Sequence, residues 1–140
     1  MTKIRPFESG DTDAVISLWQ ACKLTRSWNN PALDIQRKCA VNDELFLVAL
    51  QQDQVVGSVM GGYEGHRGWI NYLAVAPSLR KQGLGRDLMQ AVEDRLLALG
   101  CPKINLQVRE GNNDVIAFYE AIGFRDDECK SYGKRLIPDN

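Results

Sequence analysis

Apolar residues recur along this chain at two spacings, one typical of helices and the other of strands. A spacing of three or four residues marks three amphipathic segments. Asn30-Pro31 opens a further helix, because Asn caps helices and Pro suits their first position. The predicted helices are 12–22 entered through Asp11 or Thr12, a second near Ala32–Ala40, Leu84–Leu99 closed by Gly100, and 115–122 stopped by Gly123.

Short runs rich in β-branched and aromatic residues fill the intervals and predict strands. Gln51–Gln54 separates two of them, so these form a hairpin, and the final two form another. The stretch from Trp69 to Val108 reads as strand, helix and strand, which predicts a right-handed parallel crossover. The fold class is therefore α/β (α+β): one domain over residues 1–140, with a mixed sheet and helices on both faces. The predicted strands are Ile4–Phe7, Leu45–Leu50, Val55–Met60, Trp69–Val75, Ile104–Val108, a run from Phe124 onward, and Ser131–Ile137.

Composition and charge narrow the class of protein. The chain is 44% hydrophobic and 25% charged, as ordinary globular domains are, and 17 basic against 18 acidic residues leave a net charge of -1. This balance argues against a nucleic-acid partner. The longest apolar run is Leu45–Leu50, and the N-terminus lacks a signal-peptide pattern. We therefore expect a cytoplasmic protein without a membrane partner.

Cysteine and histidine positions bear on metal binding and redox compartment. Cys22, Cys39, Cys101 and Cys129 are widely spaced and form no C-x-x-C pair, and His66 is the one histidine. Zinc sites use such residues at close spacing, so no metal is expected. Cysteines used in this way are typical of reduced, intracellular proteins.

The segment between Val75 and Arg86 is the best candidate for chemistry. It joins a strand to the long helix and places Gly83 and Gly85 in the first turn, where amide N–H groups lack internal partners and the helix dipole is positive. Such a turn binds phosphate or pyrophosphate, and Lys81 adds positive charge. The residues after Gly85 fit neither a P-loop nor a dinucleotide fingerprint. A glycine turn without any ligand is the alternative.

Two motifs at a suitable mutual distance extend this interpretation. Arg80-x-x-Gly83-x-Gly85 resembles the Arg/Gln-x-x-Gly-x-Gly/Ala signature of the GNAT superfamily of acyl-CoA-dependent N-acetyltransferases, and Leu73–Pro77 resembles that family's central strand. Asn112, Phe118-Tyr119-Glu120 and Gly123-Phe124 resemble its second motif. The resemblance spans essentially the whole chain.

The resemblance implies a more specific fold. Segments 26–31, 61–68 and 133–137 are similar to the short bacterial acetyltransferases of the YpeA type within the family. A GNAT-like, mostly antiparallel sheet of six to seven strands is implied. Its central parallel pair, Trp69–Val75 and Ile104–Val108, would splay apart.

By the same resemblance, acetyl-CoA is the acyl-donor cosubstrate and no metal takes part. The pyrophosphate would lie on the loop amides. The pantetheine arm would run along the central strand, where splayed N–H and C=O groups lack partners. The cofactor-binding residues so implied are Leu73, Ala74, Val75, Lys81, Gln82, Gly83, Leu84, Gly85, Arg86, Asn112 and Tyr119.

Tyr119 is implied to be the catalytic residue, acting as a general acid toward the thioester sulfur. An ordinary phenol pKa of about 10 keeps it protonated at neutral pH. Tyr119 also lies on the apolar stripe of its helix with Val115, Phe118 and Ile122. Packing in the core is therefore the alternative role.

The residues leave open which group deprotonates the acceptor amine. Glu64, His66, Asp43 and Glu44 lie near strand ends, and a chain of waters would serve as well. An alkylammonium with a pKa of about 10.4 must lose a proton before it attacks, so one of these routes is required.

Three residues are candidates for binding the acceptor: Trp28, Glu64 and Tyr72. Trp28 lies in a polar loop, where it either anchors the loop or forms a wall of the acceptor site. Tyr72 and its neighbour Asn71 lie on the central strand, and alternation lets one of them face the acceptor channel.

The expected function is transfer of the acetyl group of acetyl-CoA to a primary amine by direct attack in a ternary complex. A small-molecule or peptide amine is the expected partner, and a homodimer through the terminal hairpin is possible. A non-catalytic acyl-CoA-binding or regulatory module is one alternative. A site for another phosphate-bearing nucleotide is a second.

Overall fold

The computed structural model describes residues 1–139, in which one mixed sheet lies between two layers of helices. The five strands are β1 (Thr2–Pro6), β2 (Phe46–Gln51), β3 (Gln54–Tyr63), β4 (Gly68–Val75) and β5 (Ile104–Leu106). The four α-helices are α1 (Thr12–Ala21), α2 (Pro31–Val41), α3 (Leu84–Ala98) and α4 (Asn113–Ala121).

The strands follow chain order in the sheet, β1-β2-β3-β4-β5. Neighbours are antiparallel except β4 and β5, which are parallel and are connected through α3. β2 and β3 form the predicted hairpin. Its two turn residues, Gln52 and Asp53, have φ of 51° and 62°, as a tight turn that matches the strand twist requires.

Alternation along the strands divides the core into two clusters, one on each face of the sheet. Leu47 and Ala49 of β2 pack with α3 and Tyr119 of α4, on what we call the α3 face. Phe46 and Val48 pack with α1 and α2, on what we call the α1 face. Because successive side chains of a strand point to opposite faces, β2 supplies both clusters. The prediction of helices on both faces is confirmed.

Two glycines of β3 set the approach of α3 to the sheet. A Cβ atom on Gly57 would lie 2.8 Å from Cδ1 of Leu88, and one on Gly61 would lie 2.6 Å from Cγ2 of Val92. Carbon atoms in packed interiors do not approach so closely. α3 therefore occupies space that a side chain at either position would fill.

The predicted C-terminal hairpin is wrong, and the sheet has five strands rather than six to seven. Residues 122–139 contain no strand or α-helix. Beyond Phe124 the segment buries no apolar side chain, and a strand register needs an apolar face to bury: Tyr132, Leu136 and Ile137 are 90%, 84% and 66% exposed. Ion pairs hold it instead. Asp127 accepts a hydrogen bond from Nζ of Lys103 at 2.9 Å, and Asp139 accepts one from Nη1 of Arg37 at 2.9 Å.

The helix starts agree in part with the sequence. Oδ1 of Asn30 accepts hydrogen bonds from two N–H groups of the first turn of α2, at 3.0 and 3.3 Å, as predicted. Asp11 stands at the start of α1, but its carboxylate makes no cap there. It accepts instead from Nη1 of Arg5 at 2.7 Å and from the N–H of Glu8 at 2.9 Å, which ties β1 to the turn before α1. No helix within residues 1–139 is long and apolar enough to cross a membrane.

Candidate active site

β4 and β5 separate after a short paired stretch. They pair over three positions, Gly68–Ile70 against Ile104–Leu106. β5 then ends, whereas β4 continues to Val75. The open side of β4 beyond Ile70 corresponds to the splayed edge that the family resemblance implies, and we refer to it as the open edge of β4.

Backbone groups of Leu73 and Val75 face this open edge. The N–H of Ala76 donates to the carbonyl of Val56 in β3 at 2.8 Å, so Ala76 faces β3. Ala74 is the register partner of Ser58 and faces β3 as well. Alternation then turns Leu73 and Val75 the other way. Their amide groups form a row of donors and acceptors for an extended ligand.

The glycine loop ends at the start of α3 with its amides uncapped. Gly83 occupies the cap position with φ of 85°, and no side chain caps the helix. The first helical bond runs from the N–H of Asp87 to the carbonyl of Gly83 at 3.0 Å. The amides of Leu84, Gly85 and Arg86 therefore precede the internal ladder and are free for an anion.

Gly83 and Gly85 have different physical roles. A Cβ on Gly83 would meet no atom within 4 Å, so glycine is required there by the positive φ. A Cβ on Gly85 would lie 3.3 Å from the ring of Phe118 and 3.7 Å from Cγ2 of Val75. The start of α3, the middle of α4 and the end of β4 therefore meet at Gly85.

Tyr119 lies in this corner with an unpaired hydroxyl. The residue is 9% exposed, and its ring makes edge contacts with Phe118 and Phe124 at centroid distances of 5.1 and 5.5 Å. It belongs to the cluster that Leu73 and Val75 pack against. No side-chain oxygen that is fully buried in residues 1–139 lacks a hydrogen bond, and none of the bonds involves this hydroxyl, so the hydroxyl reaches solvent. Burial raises the pKa of Tyr119 to about 12.

Tyr72 lies on the other face, and both of its oxygen atoms are hydrogen-bonded. Its ring stacks on Trp19 at a centroid distance of 3.7 Å, and its hydroxyl donates to Oδ2 of Asp34 at 2.6 Å. Burial and that carboxylate raise the pKa of Tyr72 well above its usual value. Tyr72 therefore joins β4 to both helices of the α1 face.

Trp28 and Asn112 lie on loops that meet. The guanidinium of Arg109, three residues before Asn112, lies 5.5 Å from the ring centroid of Trp28, a cation–π distance. This contact joins the α1–α2 connection to the β5–α4 connection. Trp28 is 52% exposed and Asn112 is exposed, so both present side-chain surface beside the end of β5.

The four candidate bases lie at the far end of the sheet. Glu64 accepts from the N–H groups of His66 and, at 2.6 Å, of Arg67, which closes the β3–β4 turn and lowers the pKa of this exposed carboxyl. Asp43 pairs with Lys38 at 2.7 Å in the connection before β2, and Glu44 follows it. This connection and the β3–β4 turn stand where β4 begins, whereas the glycine loop follows its end. The structure does not bring these residues to Tyr119.

Comparison with known proteins identifies the family. The sequence model of the acetyltransferase (GNAT) family matches residues 12–124. The chain belongs to the GNAT acetyltransferase family. It is 49% identical over 137 residues to an acetyltransferase of Pectobacterium atrosepticum, covering 98% of this chain and 97% of the relative. It is 47% identical to an acetyltransferase of Yersinia enterocolitica, with the same coverage.

Solved structures share the fold. The ribosomal-protein-S18-alanine N-acetyltransferase of Escherichia coli superposes with a TM-score of 0.74, over 89% of this chain and 78% of that one, at 24% identity. Membership of the GNAT family makes this protein an acyltransferase that transfers acetyl groups. The family predicted from the two motifs is confirmed.

Sequence reasoning missed several residues of this GNAT site. Asp34, Arg109 and Trp19 gave no signal, because their partners are distant in sequence. Ser58 did carry one: it is the single hydroxyl in the apolar run Val55–Met60, and a buried polar group implies a hydrogen-bond partner. Within the described residues no cluster of three or more His, Cys, Asp or Glu side chains is arranged to hold a metal ion.

Proposed function

We propose that this GNAT acetyltransferase takes its acetyl group from acetyl-CoA and transfers it to a primary amine by direct attack in a ternary complex. One observation carries the proposal: the open edge of β4, the uncapped start of α3 and the unpaired hydroxyl of Tyr119 converge on one corner. An acyl-CoA needs these three features together, namely partners for its amides, for its phosphates and for its sulfur.

The loop from Lys81 to Arg86 fits the pyrophosphate. Leu84, Gly85 and Arg86 present their N–H groups at the positive end of the α3 dipole, and Lys81, Gln82 and Gly83 form the turn that leads into it. A cavity of about 320 Å³ opens alongside α3, between Arg86 and Gly123. We place the nucleotide part of the ligand there, because the cavity continues from the loop.

The open edge of β4 fits the pantetheine arm. The carbonyl of Val75 already accepts from Sγ of Cys22 at 3.3 Å and from Nε of Arg80 at 3.4 Å. The arm would therefore bind the N–H of Val75 and the carbonyl of Leu73, with Ala74 between them, and the N–H of Leu73 remains for the acetyl group. Asn112 would donate from the β5–α4 connection, where its side chain caps no helix.

Two groups of the chain would stabilise charge during transfer. The acetyl thioester of the cosubstrate supplies an activated carbonyl carbon. The N–H of Leu73 donates to the carbonyl oxygen as it becomes negative, and Tyr119 donates to the departing sulfur. Full proton transfer from a phenol of pKa about 12 to a thiolate whose acid has a pKa of about 8.5 is unfavourable. Tyr119 therefore acts as a hydrogen-bond donor to the sulfur and keeps its proton. The proton that the attacking nitrogen releases protonates the departing thiolate.

The first proton of the ammonium would leave through water. The four candidate side chains lie at the other end of the sheet, whereas the hydroxyl of Tyr119 reaches solvent. Without a side-chain base, the rate follows the fraction of neutral amine, which rises about tenfold per pH unit below the amine pKa. We place the acceptor, a small-molecule or peptide amine, beside Trp28 at the open edge of β4, because the ring and hydroxyl of Tyr72 are held by Trp19 and Asp34.

A screen of amines for thiol release from acetyl-CoA tests the proposal. We expect release with a subset of primary amines and none with matched alcohols. Thermal shifts with CoA, ATP and NAD test the cosubstrate, since stabilisation follows affinity for the native state. Stabilisation by ATP or NAD but not by CoA would contradict the acetyl-CoA assignment.

A further inference from the structure

The strand that carries the donor amide has an irregularity next to that amide. Ser58 pairs with Ala74, and Met60 pairs with Asn71, so Tyr72 and Leu73 together face the single residue Val59. One extra residue in a strand is a β-bulge. Tyr72 has φ of 52°, a left-handed conformation that is strained for an aromatic residue.

A buried chain of hydrogen bonds holds this strained residue. Ser58 and Trp19 are both 0% exposed. Nε1 of Trp19 donates to Oγ of Ser58 at 2.9 Å, and Oγ of Ser58 donates to the carbonyl of Tyr72 at 2.9 Å. Ser58 thus joins the indole to the bulge by hydrogen bonds, beside the direct stacking of the Tyr72 ring on Trp19. Without its hydroxyl, a buried indole N–H loses its acceptor.

The planar peptide between Tyr72 and Leu73 also fixes the direction of the N–H of Leu73. In a planar trans peptide the C=O of one residue and the N–H of the next point in opposite directions. The carbonyl of Tyr72 points to Ser58 on β3, so the N–H of Leu73 points away from β3, toward the open edge. The same chain polarises the peptide, which strengthens the N–H as a donor.

We infer that Ser58 is a positioning residue for acetyl transfer: by binding the carbonyl of Tyr72, it aims the N–H of Leu73 at the acetyl carbonyl oxygen. The inference rests on the proposed function, because the oxygen that it serves belongs to the acetyl donor. Ser58 itself touches no reacting atom. It acts through the bulge, and Trp19 fixes its orientation.

A matched pair of variants separates the hydroxyl from its packing. Ser58→Thr and Ser58→Val add nearly the same volume to the buried site, but Thr alone keeps a donor. Loss of an oxyanion donor costs about 100- to 1,000-fold in kcat, and a misaimed donor a part of that. We expect kcat of the Val variant to be about tenfold below that of the Thr variant. KM for acetyl-CoA is expected to agree within about twofold, since the phosphate loop is untouched.

Ser58→Ala provides the same comparison without added volume, should the larger side chains prevent folding. It is expected to lower kcat about tenfold against the wild type, with an unchanged dissociation constant for CoA. Equal kcat with and without the hydroxyl, or a loss that appears in KM and CoA binding instead, would overturn the inference. A wild type that binds CoA but acetylates no amine would overturn the proposed function, and the inference with it.

Discussion

The side chains of Tyr119 and Tyr72 lie on opposite faces of the sheet, near the same stretch of β4. They differ in what their hydroxyls bind. On the α3 face the hydroxyl of Tyr119 has no partner within residues 1–139 and reaches solvent. On the α1 face the hydroxyl of Tyr72 is bound to Asp34 at 2.6 Å. On the α3 face the hydroxyl of Tyr119 and the loop amides thus have no hydrogen-bond partner in the described residues and are open. On the α1 face the hydroxyl of Tyr72 has a partner and is closed. Open groups are available to a ligand, and closed ones hold the strand in place.

Removing the open hydroxyl is the strongest test of this contrast. We expect Tyr119→Phe to lower kcat about 100-fold, because the departing sulfur loses its hydrogen-bond donor. KM for acetyl-CoA should stay within about twofold, measured by thiol release. Tyr72→Phe is the matched control on the other face. A Tyr119→Phe enzyme with wild-type kcat would remove Tyr119 from the chemistry.

The loop amides give a second test of the open face. Gly83→Ala places a side chain at φ of 85°, which costs about 1–2 kcal/mol and shifts the loop. We expect KM for acetyl-CoA to rise about tenfold while kcat changes less than threefold. Gly100→Ala is a close control, because Gly100 has the same φ at the other end of α3 and also meets no atom within 4 Å. Equal effects of both variants on KM would contradict a binding role for the loop.

The bound hydroxyl of Tyr72 is tested by stability rather than by turnover. Tyr72→Phe leaves the carboxylate of Asp34 without its donor, so we expect the free energy of unfolding to fall by about 1–2 kcal/mol. Urea titration measures this loss, and kcat should remain within about threefold. A kcat loss as large as that of Tyr119→Phe would make the two faces equivalent.

The smallest expected effect is a loss of stability at alkaline pH. Burial raises the pKa of Tyr119 to about 12, against about 10 in the unfolded chain. Above pH 10 the native state therefore keeps a proton that the unfolded state loses. The resulting contribution to the free energy of unfolding is complete below pH 10 and is lost as the pH rises toward 12. Between pH 9 and 11 the wild type should lose about 1 kcal/mol more than Tyr119→Phe. Identical losses in urea unfolding would show that burial does not perturb this phenol.

Local rules in the sequence predicted the framework of the site. Gly83, Gly100 and Gly123 mark helix boundaries because only glycine adopts positive φ without strain, and each lies at such a φ. The open edge of β4 and the loop before α3 followed from the order of elements and from the family resemblance.

What failed depends on contacts that are distant in sequence. The terminal hairpin needed a surface to cover, and Ser131–Ile137 finds none. The candidate bases were chosen for proximity to strand ends, but strand register decides which end of the sheet each occupies. Ser58 is visible in the sequence as a hydroxyl in an apolar strand, but its partners Trp19 and Tyr72 are 39 and 14 residues away, so the sequence does not reveal what it binds.

The two glycines of β3 beneath α3 have a consequence for catalysis. α3 rests on the sheet at Gly57 and Gly61, and its first turn carries the amides that we propose bind the phosphates. A methyl group under the helix would lift it as a rigid rod and carry those donors away from β4. Positions buried beneath the helix thus adjust ligand geometry without touching any ligand, and selection for altered kinetics should find substitutions there.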